Sequence, residues 1–235
     1  MKFSFSEYIV YLLDMQSFFA YLELAMNSYQ AEQLESIEAV RRHLLALPLH
    51  KREKVSAQIG DYLAFRRRVG AFLAEHFSDI CTRTCYQNQL SACCSKDGII
   101  TFFGDVVVNL LVSEPAQIDP LMAALNKEND GFKCVYLTDG GCLWRVKPIV
   151  CEMFLCDAAR DEVFGRNPRL NEVWRQFEAA KKTFTWPDRP VLFDDLEKFF
   201  MNLECRTALM YLHNSPGLLR VKKIAMERGE FYDAR

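Results

Sequence analysis

Residues 141–156 read Gly141-Cys142-Leu143-Trp144-Arg145-Val146-Lys147-Pro148-Ile149-Val150-Cys151-Glu152-Met153-Phe154-Leu155-Cys156. Working outward, Cys134 stands just upstream, and Cys81, Cys85, Cys93 and Cys94 lie further back. Eight of the nine cysteines therefore fall within residues 81–156, and only Cys205 lies outside. Even scatter would put about three there, so the density needs a chemical cause. Thiols packed this closely bind metal, pair as disulfides, or pass between the two states.

The rest of the composition bounds the choice. At 235 residues the chain can bury a full core without covalent staples. Half its residues are apolar, about a quarter are charged, and 29 basic residues face 31 acidic ones. A net charge of −2 leaves no electrostatic footprint for nucleic acid, and none is expected as a partner. The start of the chain lacks a basic segment followed by a small-residue cleavage site. Its charge-free run between Asp14 and Glu23 spans only eight residues, too short for a membrane. A reducing cytoplasm is the expectation, and there clustered thiols serve as ligands rather than as disulfides.

The periodicity around this stretch predicts helices. Residues 6–26 read as a helix apolar on most sides, to be covered by core or by a second subunit or protein partner. Leu34, Ile37, Val40, Leu44 and Leu47 step by three and four, and Pro48 ends the run. Val55, Ile59, Tyr62, Val69, Leu73, His76 and Ile80 extend a second helix, expected from Lys51 to Phe77. Arg66, Arg67 and Arg68 fan round that helix and read as solvated surface with local ion pairs. Ile99 to Phe103 is a short β-prone run, and Asp105 to Leu111 reads as helix. Ser113-Glu114-Pro115 opens a helix holding Ile118, Leu121, Met122 and Leu125.

Residues 132–137 and 142–146 predict a β-hairpin bent at Asp139-Gly140. Lys147-Pro148 opens a short helix expected to carry both Cys151 and Cys156, because proline suits a first turn. Helices follow from Pro168 to Phe184 and through Leu192, Leu196, Phe199, Phe200 and Leu203, with residues 186–190 as linker. Cys205, beside apolar helix positions, reads as core. The expected fold class is mainly α (α+β): helical arms around a small cysteine-rich core with a β-hairpin. Residues 1–80, 81–157 and 158–235 divide it into N-terminal helices, cysteine region and C-terminal helices, within one compact unit.

Four thiolates round one ion make a closed tetrahedral site. The eight candidate metal ligands are Cys81, Cys85, Cys93, Cys94, Cys134, Cys142, Cys151 and Cys156. They would fill two such sites, or hold one iron–sulfur cluster with cysteines left over. Neighbours such as Cys93 and Cys94 point apart, so they suit two centres, or one of them is structural. Zinc and iron both fit, in one or two centres. Glycine-rich phosphate loops, G-x-S-x-G and a His-x-x-x-His helix are absent from the sequence. Among other candidates, His76 reads as core or cap before ligand, and Asp105, Glu152 and Asp157 as ordinary acids of turns and helix starts before second-layer acceptors. Lys147 would offset thiolate charge, and Phe102, Phe103, Trp144 and Phe154 would wall the site from water.

The order Cys81, Cys85, Cys93-Cys94, Cys134, then the residues from Gly141 to Cys156, resembles the bacterial CxxCxxCC, or YkgJ-like, family of zinc- or iron-chelating proteins. The resemblance covers about residues 81–157 and implies metal binding without an established enzymatic role. Here the first block has spacings of three and seven where the family has two and two, and Lys147 stands where arginine is common. A similar cysteine cluster in flagellin lysine N-methylases makes a metal-dependent protein-modifying enzyme, methyltransferase-like, the alternative. A metal-stapled interaction protein is a third reading, with the helical arms as its working surface and the N-terminal aromatic helix as its best support.

Overall fold

The computed structural model describes residues 29–86, 94–95, 100–129, 131–185 and 191–210, with the backbone alone for 84–86. The expected aromatic helix at 6–26, Cys93 and the linker at 186–190 lie outside the described residues. The fold is mainly α with one small antiparallel hairpin, as the sequence implied.

Helix α1 (29–46) buries Ile37, Val40 and Leu44 on the stripe that its periodicity marks. Gln33 and Ser36 join them inside: Ser36 donates back to Glu32 O, and Gln33 Oε1 accepts from Tyr136 at 3.3 Å. After Pro48 the chain re-enters a helix, but the expected single helix is two. α2 (Leu49–Gln58) and α3 (Gly60–His76) meet at Ile59, whose ψ of 0° leaves helical geometry. The reason is tertiary: Ile59 is drawn into the core at 1% exposure, and the glycine after it is a weak helix former.

α3 buries Tyr62, Phe65, Val69 and Phe72, and meets α9 (Pro168–Lys181) through Phe72 on Trp174 at 5.9 Å between ring centroids. Phe65 and Phe184 stack at 5.3 Å, and Tyr62 meets Phe193 edge-on at 5.4 Å. Asn167 caps α9 by accepting from Arg169 N, with Pro168 in the first turn. At its far end α3 leads into a short turn, α4 (Ser78–Ile80), and a π-helical turn, Cys81–Tyr86.

α5 (Phe103–Val112) is the central rod, with residues 103–110 all buried. The β-prone run before it is irregular at 100–102, because Asp105 turns back to accept from Phe102 N at 3.1 Å and starts the helix there. Across α5 lies α10 (Leu192–Met201), seated so closely that a Cβ on Gly104 would fall 2.3 Å from the Phe193 ring. α6 (Pro115–Leu125) begins where Ser113-Glu114-Pro115 places it, and Gln117 closes its start by accepting from Glu114 N.

The hairpin is smaller than expected. β1 (Leu137–Thr138) pairs with β2 (Gly141–Cys142) in the register Leu137↔Cys142 and Thr138↔Gly141. Residues 132–136 do not extend β1, since Lys133 bridges Ser95 instead and Leu137 N closes a turn onto Cys134 O. Nor do residues 143–146 extend β2, for Val146 N donates to the Asn109 side chain of α5.

The expected helix carrying Cys151 and Cys156 is likewise divided. α7 (Ile149–Glu152) holds Cys151 and ends at the buried Met153. Cys156 then precedes α8 (Asp157–Arg166), an element the sequence pattern did not announce. Phe164 of α8 packs on Phe77 at 5.4 Å, and one contiguous core draws on residues from 37 to 210.

Candidate metal centre

Five cysteines from four separate pieces of backbone line one cavity of about 470 Å³. Cys81 comes from the π-helical turn, Cys94 from the turn before the Ser95 bridge, Cys134 and Cys142 from the stretch that leads into β1 and through β2, and Cys151 from α7. Leu73 and Ala74 of α3, with Phe77 just past its end, give the cavity an apolar wall. π-Turns insert one extra residue per turn, and here the turn continues from α3 and α4 to present Cys81 at the rim.

Four of these thiols act on one another. Burial pushes Cys134 up to about 12, opposed by the Tyr136 N–H and reinforced by Cys142, Cys94 and Cys151. Cys142 is raised by burial, with the Trp144 N–H and the Lys147 ammonium opposing and Cys94 and Glu152 adding. Cys151 is pushed up to about 11 by burial, then by Asp105, while the Ile100 N–H opposes and Cys142 and Cys94 add. All six pairs among Cys94, Cys134, Cys142 and Cys151 are thus within electrostatic reach.

Three of the sulfurs also face a backbone N–H. For Cys134 and Cys142 the donor is two residues on, so the chain folds back over the sulfur in a knuckle. An N–H so placed favours the thiolate over the thiol. The donor set suits a soft or borderline cation: thiols with oriented N–H groups and one ammonium nearby. Among the described residues, however, no three Cys, His, Asp or Glu side chains already stand in a geometry that could hold a metal ion. The sulfurs surround a space and must close on an ion to coordinate it.

A second layer of polar side chains fixes the floor of the cavity. Arg66 Nε donates to Glu152 Oε2 at 2.6 Å, Nη1 to Tyr62 OH at 2.6 Å, and Nη2 to Lys147 O at 2.6 Å. This corrects the surface reading of Arg66, which is 5% exposed, whereas Arg67 and Arg68 are exposed. The guanidinium grips both ends of the segment 147–152 and so holds Cys151 from behind. Asp105 Oδ1 accepts from Ile149 N at 3.0 Å, and Asn109 Oδ1 from Val146 N at 3.0 Å. Asp105 and Asn109 lie one turn apart on an otherwise apolar helix, and that pattern alone marks a polar stripe with a buried task.

The remaining candidates divide. Cys156 is half-buried outside the cavity lining, the Cys85 side chain and Cys93 are outside the description, and Cys205 is core at 1% exposure. His76 packs edge-on against Phe72 at 4.8 Å and does not line the cavity. Asp157 lies in the first turn of α8. Lys147, Glu152, Trp144 and Phe154 line the cavity, whereas Phe103 is core and Phe102 packs on Phe193. No family model matches this chain, and no curated protein or solved structure does either. Among the described residues no helix is long and apolar enough to cross a membrane.

Proposed function

We propose that the chain is a cysteine-cluster metal-binding protein, holding zinc or iron through thiolates at the cavity between α3, the hairpin and α7. The observation that carries this is the mutual reach of Cys94, Cys134, Cys142 and Cys151, with N–H groups facing three of the four sulfurs. Four protonated thiols gathered in an apolar fold bring little stability of their own. A dication closes them into a tetrahedral site and displaces their protons, so its binding energy adds to folding energy. Lys147 and the N–H donors then offset the net −2 of four thiolates on a divalent ion.

The test is anaerobic purification with metal analysis and an absorption spectrum. One or more equivalents of zinc in colourless protein, or of iron with a broad charge-transfer band, supports the site. Cys151→Ser should lower metal affinity at least 100-fold while the metal-free protein keeps its helical circular dichroism. Metal-free wild type that takes up neither ion when reduced would sink the reading.

A second reading is a metal-dependent protein-modifying enzyme of the methyltransferase-like kind. The volume of the cavity favours it, since a closed four-sulfur site needs far less than about 470 Å³. It requires an open ligand position beside the apolar α3 wall, and turnover of a protein substrate is its test.

A further inference from the structure

Ser95 and Lys133 form an antiparallel bridge, and Cys134 N donates to Cys94 O at 2.8 Å. Cys94 ends a helical turn just before the isolated bridge, and that single bond ties its backbone directly to the backbone of Cys134. Backbones joined by such a bond stand about 5 Å apart. A disulfide spans Cα separations of roughly 4.4–6.8 Å. Both residues line the same cavity as Cys81, Cys142 and Cys151.

The neighbouring cysteines lack this arrangement. Cys142 is opposite Leu137, not Cys134, and a turn intervenes between those two residues. Cys151 sits in α7, whose position is pinned by Asp105 and Arg66 rather than by strand pairing.

We infer that Cys94 and Cys134, tied by their backbones and lining one cavity, are a dithiol that a small-molecule disulfide converts into a protein disulfide, withdrawing two sulfurs from the metal centre. One thiolate attacks the small disulfide, forming a mixed disulfide and releasing one small thiol. The second protein thiol then attacks the mixed bond and releases the other. Two protein S–H groups and one R–S–S–R give one Cys94–Cys134 bond and two R–S–H. The protein is oxidised by two electrons, and the protons leave on the small thiols. Metal loading and oxidation thereby exclude each other. This consequence rests on the metal-binding reading, whereas the disulfide does not.

The experiment treats the reduced, chelator-stripped full chain with oxidised glutathione and maps the product without reduction. Chymotrypsin, cutting after Tyr86 or Leu90 and after Tyr136 or Leu137, separates Cys94 from Cys85 and Cys134 from Cys142. Fragmentation of the linked peptide then distinguishes Cys94 from Cys93. A Cys94–Cys134 link, lost in Cys94→Ser and Cys134→Ser and kept in Cys142→Ser and Cys151→Ser, is the expected result. A link to any other cysteine, or glutathione adducts alone, overturns the inference.

Adding zinc or ferrous iron to the reduced and oxidised forms reads the consequence separately. Uptake by the reduced form with at least a tenfold loss on oxidation supports the regulation. Equal uptake by both forms overturns it. A link with uptake by neither form ends the metal reading and leaves the dithiol standing.

Discussion

Between α5 and α10 the interior is closed: Gly104 admits the Phe193 ring so tightly that no Cβ could stand there. Between α3 and α7 it is open, a cavity of about 470 Å³ lined by thiols, an ammonium and a carboxylate. Even the Trp144 indole N–H, buried in its wall, has no hydrogen-bond partner among the described residues. The helical frame therefore draws its stability from apolar burial. The thiol side is built from groups that burial penalises and that an ion would satisfy. Three polar side chains of the frame, Arg66, Asp105 and Asn109, tie one region to the other.

If the frame is independent of metal, its largest liabilities are aromatic. Trp174 is 1% exposed and meets Phe72 and Phe77. Trp174→Ala should lower the free energy of unfolding by about 4 kcal/mol, from lost transfer energy and the cavity left behind. Denaturant titration of metal-free protein checks it. An equal loss appearing only when metal is present would break the division between the regions.

Arg66 tests the joint between them. Arg66→Met strips Glu152 of its ion-pair partner and leaves Tyr62 OH and Lys147 O without their donor. Breaking a buried pair on one side costs about 3 kcal/mol, because the other charge stays behind. Stability should fall by that amount, and metal affinity should fall with it, since the Cys151 segment loses its hold. Arg66→Lys should rescue little, as a single ammonium cannot make three divergent bonds.

Asp105 sharpens the same contrast through pH. Burial, opposed by Arg66 and by the Phe102 and Ile149 N–H groups, raises its carboxyl from 3.8 to about 6. The folded state then holds a proton that the unfolded state releases near its ordinary value. The associated stability is fully present below about pH 4 and is lost as pH rises through about 6, by up to about 3 kcal/mol. This slope opposes that of a salt-bridged carboxylate. Unfolding titrations of wild type and Asp105→Asn between pH 4 and 7 should show wild type losing stability relative to the variant as pH rises. A flat difference would mean that the buried carboxyl keeps an ordinary affinity for its proton.

What the sequence made legible was local. The three-and-four spacing of Ile37, Val40 and Leu44, the Ser113-Glu114-Pro115 start and the Asp139-Gly140 bend each carry their own structural cause within a few residues. The density of cysteines was legible too, but not their sorting. A spacing of five between Cys151 and Cys156 fits one helix or a turn, and in the fold α7 ends between them at the buried Met153. The partners that fix the site lie far along the chain: Glu152 is 86 residues from Arg66, and Ile149 is 44 from Asp105. Hydrophobic periodicity has no term for such pairs, so a buried arginine reads like its exposed neighbours.

The three arginines give the smallest effect and the cleanest control. Arg67 and Arg68 follow Arg66 directly and share its helix propensity, yet both point to solvent. Arg68 lies over the Phe177 ring at 5.6 Å, a contact worth about 0.5 kcal/mol at an exposed site. Arg67→Ala should change the free energy of unfolding by less than about 0.5 kcal/mol and leave metal uptake unaltered. Set beside Arg66→Met, it separates position from charge: both variants remove one cation from the same helical turn. If the two losses proved equal, the anchor under Cys151 would be general helix electrostatics rather than the three bonds of one buried guanidinium.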